Sequence, residues 1–169
     1  SKYTIESKSM KLFLNSFFDK NYSKQAEVIS ILTERISKKC NSEVKIVIKT
    51  SFKTFDSDKF TNKAGFLVYK GFRSICPVTS QPDWGNIYLY SSTNILDKKE
   101  IFDFLFSLRN HGGFHENCIE KTFLYIKETF SVDHLEICGR FFRRGGIDIN
   151  PIRSTQKKLF FENFREFNQ

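Results

Sequence analysis

No stretch of this 169-residue sequence approaches the roughly 18 consecutive apolar residues that a membrane-spanning helix requires, so no membrane span is expected. The opening Ser1-Lys2-Tyr3-Thr4 lacks the basic-then-apolar order of a secretion signal. The four cysteines, Cys40, Cys76, Cys118 and Cys138, include no Cys-x-x-Cys pair, which argues against a zinc knuckle. They are not expected to pair as disulfides, and a reducing cytoplasm is the expected location, one that keeps a reactive thiol usable. The eight glycines form no Gly-x-Gly-x-x-Gly fingerprint, so any dinucleotide has to bind without a Rossmann turn.

What is abundant is phenylalanine. With 20 Phe, 40% hydrophobic and 27% charged residues, the chain reads as globular, with a core built from rings. Its length suits one compact domain or two small modules. The net charge of +8 raises the possibility of a nucleic-acid partner. Yet the lysines are scattered, as in Lys38-Lys39, Lys98-Lys99 and Lys157-Lys158, in the manner of a solvated surface.

Met10, Phe13, Leu14 and Phe17 recur at helical spacing and predict a helix over 8–18. A second helix is expected over 25–38, with Val28, Ile29, Leu32 and Ile36 inward and Ser23 as its N-cap. Val44 to Thr50 reads as a strand with one wet face, and the polar run Asp56 to Lys63 as a linker. Strands over 65–71 and 86–91 flank a loop containing Cys76. Asp97 and Glu100 form a capping box for a helix carrying Ile101, Phe104, Leu105 and Leu108. Asn110-His111-Gly112-Gly113 breaks that helix, and another runs from His115 to Phe130. His134 to Phe142 reads as a strand that Gly145-Gly146 ends. The order helix, helix, strand, then strands, helix, helix, strand suggests a weak internal duplication, an α+β chain with antiparallel sheet covered on one face by helix pairs. Leu159 to Phe164 is expected to be a short closing helix or an interface peg.

The chemistry-bearing residues lie on the polar turns. Cys76-Pro77-Val78-Thr79-Ser80-Gln81-Pro82-Asp83 sets a thiol seven residues before a carboxylate. Phe114-His115-Glu116 and Arg143-Arg144-Gly145-Gly146 follow. Such a set suits covalent chemistry on an electrophile with a phosphate-bearing cofactor. Each residue also has a plainer reading: a buried structural thiol for Cys76, a turn carboxylate for Asp83, a first-turn acid for Glu116, a basic strand end for the arginines. His111 and His115 are four apart, but the glycines between them interrupt a helical face and no thiol completes a ligand set, so no metal is expected.

Ile5-Glu6-Ser7-Lys8-Ser9, Cys76 to Asp83, Phe114-His115-Glu116 and Arg143 to Arg153, in that order, resemble the 7-cyano-7-deazaguanine reductases, the nitrile reductases of queuosine biosynthesis. About a hundred residues separate the first and third motifs, which is similar to the two-module form. The resemblance implies a tunnelling fold of two related modules, with 1–60 the remainder of the first module and a linker, and 61–169 the second, catalytic module. It implies Cys76 as nucleophile forming a thioimidate, Asp83 as general acid and base, and His115 as a further catalytic group. It implies substrate contacts from Ile5, Glu6, Ser7, His115 and Glu116, NADPH contacts from Ser7, Lys8, Arg144 and Gly145, and a homodimer or larger assembly acting on a free base without nucleic acid. Two-module relatives carry sequence ahead of the Glu-Ser-Lys-Ser motif, so the first module is expected to be truncated here or completed by a neighbour. Two alternatives stand beside this reading. One is a zinc-dependent pterin or purine cyclohydrolase of the same fold. The other is a basic RNA-binding module that uses Phe141 and Phe142 beside Arg143.

Overall fold

The computed structural model describes residues 3–18, 20–49, 51, 64–92, 97–166 and 169. They belong to two compact units, Ser1–Ser51 and Phe52–Gln169.

In the first unit, α1 spans Ser7–Asn15 and α2 spans Gln25–Cys40. α1 begins where the Glu6 carboxylate accepts hydrogen bonds from the Lys8 and Ser9 amides, at 2.7 and 2.8 Å. It stops short of Phe17, whose ring packs against Phe13 and Tyr22. α2 buries Leu32 and Ile36, and closes on Asn41 in the left-handed region, which Asn tolerates better than most residues. Ser23 does not cap α2: the cap position is Lys24, and the Ser23 hydroxyl instead meets the Glu27 carboxylate at 3.3 Å. The strand expected at Val44–Thr50 is also absent from 43–49, and Thr50 lies outside the described residues. A lone strand leaves its backbone groups unpaired, and no second strand lies among the described residues of this unit. The helix–helix–strand order is therefore met here only in its helices. The linker expected at Asp56–Lys63 lies outside the described residues.

The second unit carries a four-stranded antiparallel sheet in the order β1 (Phe66–Ile75), β2 (Pro82–Ser91), β3 (Leu135–Phe141), β4 (Ile152–Ser154). β1 bulges between Tyr69 and Phe72, where Gly71 takes φ +73° and donates its N–H to the Asn86 side chain at 2.9 Å. β2 and β3 approach closely at Gly85, where a Cβ would sit 2.6 Å from the Arg140 carbonyl oxygen, so only glycine fits. The sequence reading contained no counterpart of β4.

Helix α3 (Lys98–Ser107) starts on Asp97, whose side chain accepts from the Lys99 and Glu100 amides. Half of the expected capping box is thus formed, while the Glu100 carboxylate accepts instead from the Tyr125 hydroxyl at 2.9 Å. After a 3₁₀ turn, Leu108–Asn110, the chain passes the glycine pair and enters α4 (His115–Phe130). Both helices cover one sheet face. Ile101, Leu105, Ile119, Phe123 and Ile126 pack on Phe72, Ile87, Leu89, Leu135, Ile137 and Phe141.

The opposite face is covered by the C-terminal segment, which is not helical. Phe161 and Phe164 bury against Phe66, Tyr88 and Cys138, and Phe160 stacks on Tyr90 with ring centroids 4.0 Å apart. The segment expected to be a short closing helix or an interface peg is thus no helix, and its rings pack on this chain's own sheet. Glu136 fastens it: this fully buried carboxylate accepts the Phe160 and Phe161 amides at 2.8 and 2.7 Å. Glu136→Ala removes the carboxylate that both amides donate to, a loss of roughly 2–5 kcal/mol. Glu136→Gln keeps one acceptor and is expected to lose clearly less. Urea unfolding followed by fluorescence of Trp84, the single tryptophan, measures both, and a wild-type midpoint for Glu136→Ala would contradict this account.

Candidate active site

Three segments of the second unit converge on Asp83. The first is the hairpin loop between β1 and β2. It is closed by the Cys76 amide on the Gln81 carbonyl at 2.9 Å and by the Ser80 amide on the Cys76 carbonyl at 2.9 Å, with Ser80 at φ +56°. The second is the strip before α4. Ile75 N–H donates to His111 O at 2.9 Å and Gly113 N–H to Ile75 O at 3.1 Å, so this strip zips onto the residue just before Cys76. The start of α4 is thereby anchored beside the thiol-bearing loop. The third is the turn after β3, where Arg144 and Ile147 exchange backbone hydrogen bonds across Gly145 and Gly146, at φ +57° and +80°. Two positive φ values in a two-residue loop are why the sequence has paired glycines there.

Asp83 is buried at the start of β2, with 7% of its side chain exposed. One carboxylate oxygen lies 2.9 Å from Arg144 Nη2, and the other 3.3 Å from His115 Nε2. The same Arg144 nitrogen donates to Pro82 O at 2.6 Å, and Nη1 lies 3.5 Å from the Thr79 hydroxyl. The His115 ring stacks on Phe141 with centroids 4.0 Å apart and planes within 6°, which fixes Nε2 towards Asp83. Its Nδ1 is buried and has no partner among the described residues.

Cys76 is half-buried, and opposing effects act on its thiol. Burial alone pushes the thiol up, but hydrogen bonds from the Thr79 side chain and from the Thr79 and Val78 amides outweigh it and hold Cys76 below the ordinary thiol range. The Asp83 charge works in the opposite direction. The turn Pro77 to Ser80 is therefore what favours the thiolate, through donors aimed at sulfur. Cys118 is buried, and burial raises its thiol.

Of the predicted site residues, Cys76, Asp83, His115, Glu116, Arg144 and Gly145 share this unit, and Asp83, His115 and Arg144 are in direct contact. Glu116 sits in the first turn of α4, half-buried, with no hydrogen-bond partner among the described residues. Ile5, Glu6, Ser7 and Lys8 belong to the first unit. There the two amide hydrogen bonds to Glu6 hold its carboxyl below the usual carboxylate range. Arg143 donates to Gln169 O at 2.5 Å. Phe141, considered above as a base-stacking ring, is fully buried under the helices, so only Phe142 of that pair is exposed. His111 Nε2 lies 2.8 Å from Lys121 Nζ, and no group of three or more His, Cys, Asp and Glu is gathered among the described residues.

Sequence reasoning missed Thr79 as a thiolate donor, Phe141 as the rest for His115, and Arg144 as a partner of Asp83. Only the first had a local signal, a hydroxyl three residues beyond a cysteine in a proline turn.

Residues 1–48 match the family described as nitrile reductase, 7-cyano-7-deazaguanine-reductase N-term, and residues 82–159 match the family described as QueF-like protein. A Coxiella burnetii (strain Dugway 5J108-111) protein, "NADPH-dependent 7-cyano-7-deazaguanine reductase", is 32% identical over 196 residues, covering 100% of this chain and 70% of that protein. Proteins of the same name from Hahella chejuensis and Desulfotalea psychrophila are 31% and 32% identical, each covering 95% of this chain and 69% of its own length. Among solved structures, the archaeosine synthase QueF-Like in the apo form overlaps 53% of this chain and 89% of its own, at 15% identity and a TM-score of 0.48. On the length and identity of these matches, the chain belongs to the 7-cyano-7-deazaguanine reductase family.

Proposed function

We propose that this chain reduces the nitrile of 7-cyano-7-deazaguanine to the aminomethyl group, using NADPH, by way of a covalent thioimidate on Cys76. The observation that carries this reading is the thiol of Cys76, held below its ordinary range on a loop that leads directly into the buried pair Asp83–His115.

A nitrile carbon is a weak electrophile until sulfur adds to it. Addition of the Cys76 thiolate forms the C–S bond and moves one C≡N electron pair onto nitrogen. Asp83, which receives the thiol proton, returns it to that nitrogen and so completes the thioimidate. His115, its ring plane set by Phe141, holds the second oxygen of Asp83 and is within reach to pass a further proton. The unpartnered carboxylate of Glu116 suits the N–H edge of a deazaguanine. A carboxylate so used discriminates against analogues that leave it unpaired. Glu6, Ile5 and Ser7 are read as substrate contacts from the first unit.

Two molecules of NADPH, bound in turn, would each supply one hydride, which with two protons make the four-electron change from nitrile to amine. The residues present fit an anionic dinucleotide in kind. Arg144 keeps 31% of its side chain exposed, and a Cβ built at Gly146 would meet no atom within 4 Å, so the turn offers a guanidinium beside bare backbone. Gly145, Ser7 and Lys8 complete the proposed set.

We read 1–60 as the remainder of a first tunnelling-fold module with its linker, and 61–169 as the catalytic module. Separate family matches to 1–48 and 82–159 support that division. A homodimer or larger assembly, a cytoplasmic location and action on the free base without nucleic acid belong to the same reading.

Mixing the protein with 7-cyano-7-deazaguanine in the absence of NADPH is expected to add the nitrile's mass to the intact chain, and Cys76→Ala to abolish the adduct. An adduct that survives Cys76→Ala would sink the mechanism. Thr79→Val removes the side-chain donor to sulfur, so the thiolate forms only at higher pH. Alkylation of Cys76 by iodoacetamide near pH 7 is then expected to slow roughly three- to tenfold and recover as pH rises. An unchanged pH profile would remove Thr79 from the account.

A further inference from the structure

Arg144 makes three contacts on one loop and its exit. It reaches the Thr79 hydroxyl at 3.5 Å, Pro82 O at 2.6 Å and the Asp83 carboxylate at 2.9 Å. Those acceptors bracket the second half of the Cys76 loop. Thr79 is the strongest hydrogen-bonding influence that favours the Cys76 thiolate, whereas Asp83 carries the charge that opposes it. An arginine that only bound a dinucleotide would have no reason to spend both terminal guanidinium nitrogens inside the protein. The arginine fork is suited to holding several oxygens at once in fixed geometry.

We infer that Arg144 is a positioning residue for the first, cofactor-independent half of the reaction: it pins the nucleophile loop so that Thr79 faces sulfur, and orients the Asp83 carboxylate beside it. This rests on the thioimidate reading and adds to the dinucleotide contact proposed for Arg144. The charge acting on the thiol is that of Asp83 on β2, and the titratable or charged groups touching Asp83 are His115 of α4 and Arg144 of the β3 turn. Without Arg144, Thr79 loses a partner and the Asp83 charge is left less compensated. Both changes make the thiolate harder to form.

The two roles separate experimentally because adduct formation requires no NADPH. In Arg144→Gln the rate of adduct formation with 7-cyano-7-deazaguanine alone is expected to fall roughly tenfold to a hundredfold, as misplaced reacting groups do. The pH profile of Cys76 alkylation is expected to move upward. Arg144→Lys, with one charged nitrogen in place of a fork, is expected to fall between, and it carries the test if circular dichroism finds Arg144→Gln unfolded. The inference is overturned if the folded variants form adduct and are alkylated like the wild type while only the KM for NADPH rises. If the wild type itself forms no adduct, the functional reading fails. The alkylation profile, which requires no substrate, still decides whether Arg144 acts on the loop.

Discussion

A carboxylate buried at the start of a strand governs this structure. Taking Asp83 out of water is tolerable only if both its oxygens are met by polar partners, and removing either partner leaves a buried group exposed to the full desolvation cost. The partners come from distant parts of the chain, Arg144 from the turn after β3 and His115 from the first position of α4. For both to arrive, β2 and β3 have to approach closely at Gly85, the β3 turn has to double back within two glycines, and residues 111–113 have to zip onto the end of β1. Each of these features looks like ordinary fold geometry when taken alone. Together they are the conditions for one buried pair of contacts.

The thiol beside it is governed by opposing forces. The Asp83 charge disfavours the Cys76 thiolate, and burial adds to that. The loop offsets both locally, with two amides and a hydroxyl that are part of the same turn and move with the sulfur. The donors that favour the thiolate are thus separate from the carboxylate whose charge opposes it.

The helices were legible because their signals are local: the apolar period from His115 to Phe130 and the Asp97 cap are written in neighbouring residues. Val44–Lys49 misled because alternation describes what a strand looks like, while a strand exists only with a partner. β4 escaped for the opposite reason: Ile152–Ser154 is too short to show a period and is created by pairing with Glu136–Cys138. The same division holds in the site. Cys76, Asp83 and His115 stand in motifs, but the side of β3 on which Phe141 lies is set by sheet register, and the meeting of Arg144 with Asp83 spans sixty-odd residues of chain. Composition pointed to an aromatic core without revealing that it splits between two faces.

That split gives β3 its importance. All seven of its residues are buried, Leu135, Ile137, Gly139 and Phe141 under the helices, Glu136, Cys138 and Arg140 under the C-terminal segment. On one face Phe141 supports the His115 ring. From the same residue the backbone carbonyl accepts the Gln169 side-chain amide at 3.0 Å, and the next residue but one, Arg143, donates to the Gln169 carbonyl. The C-terminal segment therefore holds the end of the strand from which both His115 and Arg144 take their positions. A rigid, doubly covered strand is a better base for sub-ångström placement than a loop is. The Cys76 thiol sits instead on the hairpin loop between β1 and β2, held by that turn's own donors.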